Sequence, residues 1–221
     1  MTTKRTKFGK VLLALGAAIG LSACASAPVT RDLPPGAALD AVPASVSLNA
    51  LGPVDVVAIN VSVPETLLVS EKNSYYPGGD IVWHGDPVGN RRDQVKAIFE
   101  AAMANGTSDM TGDRKVMLDI VVTRFHSLTP KARYTVGGVH AIQFHLQVRD
   151  AETLEVLVPS HFIKADFKGY GGAAALEAEA MGETQKVRIT NQLARVIRQE
   201  LAQPGSFVHE NTGVIGALNQ L

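Results

Sequence analysis

The chain has one cysteine, one tryptophan and no net charge among its 221 residues. A single cysteine excludes an internal disulfide and a cysteine-built zinc site. Basic and acidic residues balance at 21 each, so the basic excess of a nucleic-acid surface is missing and no nucleic-acid partner is expected. The sequence also lacks a G-x-S-x-G nucleophile elbow, a Walker phosphate loop and the spacing of a calcium loop. Asp109, Asp113 and Asp119 do not fit the last of these. What is present is ordinary for a folded chain: 46% hydrophobic and 19% charged residues. That composition excludes a disordered, collagen-like or disulfide-stapled chain, and the length fits one domain with a tail.

The amino terminus reads as an address. Lys4, Arg5, Lys7 and Lys10 precede an 11-residue apolar run, Val11 to Leu21, broken only by glycines. A spanning helix needs ~20 apolar residues, and this run has the size of a signal-peptide core. Leu21-Ser22-Ala23-Cys24 follows directly. These four positions resemble the lipobox of bacterial lipoproteins, which implies diacylglyceration of Cys24 and cleavage before it. Cleavage would remove four basic residues and no acidic one, leaving 198 residues and a net charge of −4. Several acyl chains make a stable membrane anchor where one is marginal. The residue after the cysteine is Ala25 rather than Asp. By resemblance to Gram-negative lipoproteins, that implies the outer membrane, with the domain facing the periplasm. No other cysteine remains for catalysis.

Residues 24–52 read as the lipidated cysteine and a flexible tether, with Pro28, Pro34, Pro35 and Pro43 and no apolar periodicity. A tether of this length spans roughly 30 Å. Residues 53–203 read as the folded domain and 204–221 as a tail. Val54 to Val63 predicts a central strand because both faces are apolar. Thr66 to Ser70 predicts a short second strand, and Ile81-Val82-Trp83 is a short apolar stretch. Asp86-Pro87 predicts a helix start running to Asn105-Gly106, with Asp86 as cap. Val116, Leu118, Ile120 and Val122 form one face of a strand over Lys115–His126. Ile142, Phe144, Leu146 and Val148 do the same over His140–Asp150. Leu154 to Val158 returns as the third strand of a meander, extended past Pro159 by Phe162 to Phe167. After Gly169, Gly171 and Gly172, Ala173 to Ala202 predicts a second helix, kinked at Gly182. The expected fold is α+β, a mostly antiparallel sheet with two helices on one face in the order β-(β)-α-β-β-β-α.

This order is similar to the small domain of many periplasmic lipoproteins of envelope assembly, including the auxiliary lipoproteins of lipid-transport ABC systems. The turn from Asp150 to Leu157 resembles their D-x-x-T-G-x-V pattern, with Leu154 in the glycine's place. Ile81-Val82-Trp83-His84-Gly85-Asp86-Pro87, running into Arg91, Arg92 and Gln94, resembles an uncharacterised alphaproteobacterial lipoprotein family. That family implies no activity.

The candidate binding patch is therefore Trp83, His84, Asp86, Arg91 and Arg92: tryptophan and arginine are enriched at interface hot spots, and a helix start favours anions. Against it, Trp83 serves equally as a core plug and Asp86 as a cap. His126 and His140 flank a loop with shared parity, but two imidazoles are half a zinc site and no metal or other cofactor is expected. The functional expectation is a lipid-anchored, non-catalytic accessory module with an envelope protein partner. The alternatives are an auxiliary lipoprotein of a lipid-transport ABC system and a periplasmic hydrolase or metal-binding protein.

Overall fold

Strict alternation of apolar and polar residues along two long segments builds the centre of the sheet. The structure, a computed structural model, describes residues 51–210. The lipobox residues Leu21, Ser22, Ala23 and Cys24, the tether through residue 50 and the tail beyond residue 210 lie outside the described residues. In chain order the elements are β1 (Val54–Ser62), β2 (Ile81–Val82), α1 (Arg91–Thr107), β3 (Arg114–His126), α2 (Pro130–Arg133), β4 (Gly138–Asp150), β5 (Val156–Lys164), β6 (Phe167–Gly169), α3 (Ala173–Ala180) and α4 (Gln185–Ala202). The fold is α+β, with a six-stranded sheet of path β1-β3-β4-β5.

The β3–β4 and β4–β5 pairs are antiparallel, as is β4–β6, whereas β1 and β2 run parallel to β3. The parallel pair β1–β3 requires a crossover, and α1 supplies it. Val116, Leu118, Ile120 and Val122 of β3 are buried, as are Ile142, Phe144, Leu146 and Val148 of β4. Their common face meets Val95, Ile98 and Phe99 of α1 and Ile189, Leu193, Val196 and Ile197 of α4 in one core. Each such large side chain contributes roughly 1.5–3 kcal/mol by leaving water. Phe99 meets Phe144 edge-on, with ring centroids 5.3 Å apart.

Several sequence expectations need correction. Val54–Ser62 is an edge strand, not a central one. The register slips between Val56 and Ala58, leaving Val57 as a bulge that is half exposed, so its doubly apolar pattern reflects a bulge rather than burial on two faces. Thr66–Ser70 forms a single bridge, Val69 to Ile81, instead of a strand. Asp86 does not cap α1. Asn90 does, accepting from the amides of Arg92 and Asp93, and α1 continues past Asn105 to Thr107. At Gly106 a Cβ would come within 2.6 Å of the Ala194 carbonyl on α4, so that glycine sets the helix–helix approach instead of ending the helix. The single long helix expected over Ala173–Ala202 is two. Gly182 takes φ +82°, which an L side chain resists, and Thr184 caps α4 by accepting from the Val187 amide. Among the described residues no helix is long and apolar enough to cross a membrane.

Candidate functional site

The sequence Trp-His-Gly-Asp-Pro leaves β2 and turns before α1, and its chemistry is spent locally. Trp83 is fully buried and packs edge-on against Phe125. Its indole Nε1 donates to Asp86 Oδ2 at 2.8 Å, and Lys186 Nζ donates to Asp86 Oδ1 at 2.8 Å. Burial pushes the Asp86 carboxyl upward, but the bonds from Lys186 and Trp83 outweigh it and hold the group below the usual aspartate range. Arg91, also buried, clasps Glu71 through Nε and Nη2 at 2.7 and 3.1 Å, while Nη1 donates to the carbonyls of Asp86 and Pro87 and to Gln94. That bidentate bond lowers the Glu71 pKa. Arg92 donates to the carbonyls of Pro64, Glu65 and Leu67. Of the sequence-derived patch, Trp83 is core, and Arg91 and Arg92 bind the 64–71 loop to α1. These three do not form a surface together.

His84 faces another way. It lines a cleft of about 310 Å³ between the Trp83–Asp86 turn, α2 and the start of α4. Arg133, Tyr134, Glu179, Thr184 and Lys186 complete its polar wall. Local sequence places each of them. Thr129 caps the one-turn α2, with Pro130 at its first position, and so fixes Arg133. The Gly182 break directs α4 so that Lys186, on its first turn, reaches Asp86. Glu179 comes from α3 and pairs with Arg133, Nη2 to Oε1 at 2.7 Å. It also accepts from the Tyr134 hydroxyl at 3.3 Å.

Two buried nitrogens of this wall, His84 Nε2 and Arg133 Nε, have no hydrogen-bond partner. Such orphans are costly, because each loses its water without gaining a substitute. Burial lowers the His84 pKa and outweighs Glu71, which raises it from 4.0 Å away, so the imidazole is neutral at neutral pH. Behind the cleft lies a narrow recess that shares Leu128, Arg133 and Gln185 with it and reaches His140 and Arg188. The Arg188 guanidinium stacks 3.7 Å from the Tyr170 ring centre.

The histidine pair is not assembled. An extra residue at Thr123 shifts the β3–β4 register, so His126 faces Ala141 and His140 faces Phe167 of β6. Residues 140 and 141 point to opposite faces of the pleat, and so do the two imidazoles. Burial depresses them to about 4 and about 3 respectively. Among the described residues no three His, Cys, Asp or Glu side chains group as a metal would require. A larger cleft of about 400 Å³ lies beside Pro53, Met110 and Leu201. Among the described residues it carries no orphaned buried side-chain nitrogen or oxygen, and the Asp109–Arg198 pair in its lining is exposed. The smaller cleft is the better candidate. Sequence reading missed Arg133, Glu179 and Lys186. The Thr129-Pro130 start signal and the Gly182-x-Thr184 break were the marks that would have located them.

The family model that matches residues 54–217 is one of unknown function, DUF6778. The chain belongs to this family. No curated protein matches it. Among solved structures, it is similar to a DUF330-family protein from Xanthomonas campestris, at 13% identity, covering 67% of this chain and 81% of that one with a TM-score of 0.42. It is also similar to a protein from Caulobacter crescentus described as a candidate lipoprotein, at 13% identity, 65% and 87% coverage and a TM-score of 0.32. Likenesses this distant carry no role across.

Proposed function

We propose that this protein is a lipid-anchored, non-catalytic binding module, held at the outer membrane through Cys24 with its domain in the periplasm. The observation that carries the reading is Leu21-Ser22-Ala23-Cys24 placed directly after a basic segment and an 11-residue apolar run. The cysteine stands at the one position where the lipobox chemistry needs a thiol. Two features of the domain support a binding role. The most reactive-looking cluster, Trp83 to Arg92, is engaged in holding the fold, and the cleft beside it keeps unsatisfied nitrogens in its wall. The partner in this reading is another envelope component, and the tether gives the domain reach toward it.

Intact-mass analysis of the protein from membranes tests the reading. It expects an amino-terminal Cys24 carrying acyl chains, and release of the domain into the soluble periplasmic fraction in Cys24→Ser. An unmodified Cys24, or unchanged membrane association in Cys24→Ser, contradicts it.

A further inference from the structure

We infer that the cleft between α2 and the first turn of α4 is a binding site for a compact oxyanion, a carboxylate or phosphate group, and that Glu179 occupies part of it in the free protein. This deepens the binding-module reading by naming what the cleft takes, and it does not depend on the anchor.

Arg133 is the anchor. Its side chain is nine-tenths buried, and a guanidinium removed from water needs its donors filled. Arginine grips an oxyanion with two parallel N–H bonds. Glu179 takes only Nη2, and Nε has no partner. The edge of the guanidinium that suits a bidentate oxyanion is thus half used. Glu179 itself remains about one-third exposed on the eight-residue α3, so it can yield its place to an incoming group.

The rest of the wall favours negative charge. The α4 start contributes the positive end of an 18-residue helix whose first turn holds no acidic residue. Lys186 stands at the rim and is half exposed. His84 adds no charge of either sign to the lining, and its buried Nε2 is also unpartnered. In the recess behind, Arg188 approaches no carboxylate within ion-pair distance among the described residues and rests on Tyr170. A volume of about 310 Å³ sits at the lower end of ligand sites, so the occupant is a small molecule or the end group of a larger one.

The test uses the full chain and reads the melting temperature against sodium phosphate and sodium acetate at constant ionic strength. The expected result is a saturable rise with at least one anion, with Kd in about the millimolar range. Arg133→Lys keeps the charge and loses the fork, and should weaken the apparent affinity roughly tenfold or more. Lys186→Ala, at the rim, provides a second variant with little structural consequence and should weaken it several-fold. Glu179→Gln removes the internal competitor and should tighten it roughly tenfold. Flotation of Cys24→Ser with phosphatidylglycerol–phosphatidylcholine vesicles then separates sources. Flotation competed by free phosphate places the oxyanion on a lipid, and a titration without flotation places it on a soluble ligand. Absence of a saturable response, an equal response in Arg133→Lys, or no gain in Glu179→Gln overturns the inference. Failure of acylation at Cys24 leaves these anion titrations untouched, so the two proposals fail separately.

Discussion

The Trp83–Arg92 segment and the cleft beside it use the same residue types and end in different states. In the first, Arg91 and Arg92 give their donors to Glu71, Gln94 and loop carbonyls, and the Trp83 indole reaches Asp86. In the second, Arg133 has one carboxylate and an idle Nε. Buried polar groups are normally satisfied, and the exceptions need a reason. Residue type alone does not separate a structural knot from a site; the degree to which its hydrogen bonds are filled does. Lys186 joins the two regions, bonded to Asp86 on one side and lining the cleft on the other.

The largest effect should come from breaking the knot. Trp83→Ala removes a fully buried indole and leaves Asp86 short of a donor, a loss of about 3–5 kcal/mol that urea unfolding measures. If Trp83 were a recognition residue, the variant would keep its stability and lose only binding.

Next in size is acid sensitivity in the wall of the recess. The buried His140 is pushed down to about 3. Between its unfolded value near 6.5 and that folded value, the unfolded chain holds a proton that the folded chain does not. Stability is therefore intact above pH 6.5 and falls as pH drops, by about 1.4 kcal/mol per pH unit. His126, lowered to about 4, adds a parallel loss. Unfolding free energy against pH should be shallower by one proton in His140→Phe; an unchanged slope would place the titration elsewhere.

Much of the sheet was legible in the sequence. The alternation in β3 and β4 is local and strong, and the structure buries the face it marks. The edge position of β1 was not legible, because pairing depends on a crossover and a bulge that no local pattern encodes. The helix break was half legible: Gly182 marked the place, but a capping Thr184 was needed to turn a kink into a new helix. The site was harder. Arg133 and Glu179 are far apart in the chain and meet only through tertiary packing, whereas Trp83 to Arg92 attracted notice because their chemistry is contiguous. One departure in the sequence was informative. Leu154 replaces the glycine of a familiar turn, and it adopts φ +64°, with Asp150 Oδ1 accepting from the amides of Glu152 and Thr153.

That turn supplies a control away from both regions. Leu154→Gly should raise stability by about 1 kcal/mol by relieving a left-handed leucine, with no change in anion response; a loss of stability would mean that the leucine packs usefully. The smallest stability effect belongs to Lys186→Ala. Its pair with Asp86 is partly exposed and is worth less than about 1 kcal/mol, so melting in chloride should barely move while the anion response falls. A large destabilisation would assign Lys186 to the knot instead of the cleft.

The most direct test of the contrast is a map of backbone and arginine Nε–H chemical shifts in the full chain during phosphate titration. The account predicts saturable shifts confined to His84, Arg133, Tyr134, the end of α3 around Glu179 and residues 184–188, with Arg91, Arg92 and Glu71 still. Shifts centred on Arg91 and Arg92, with a silent Arg133, would contradict it.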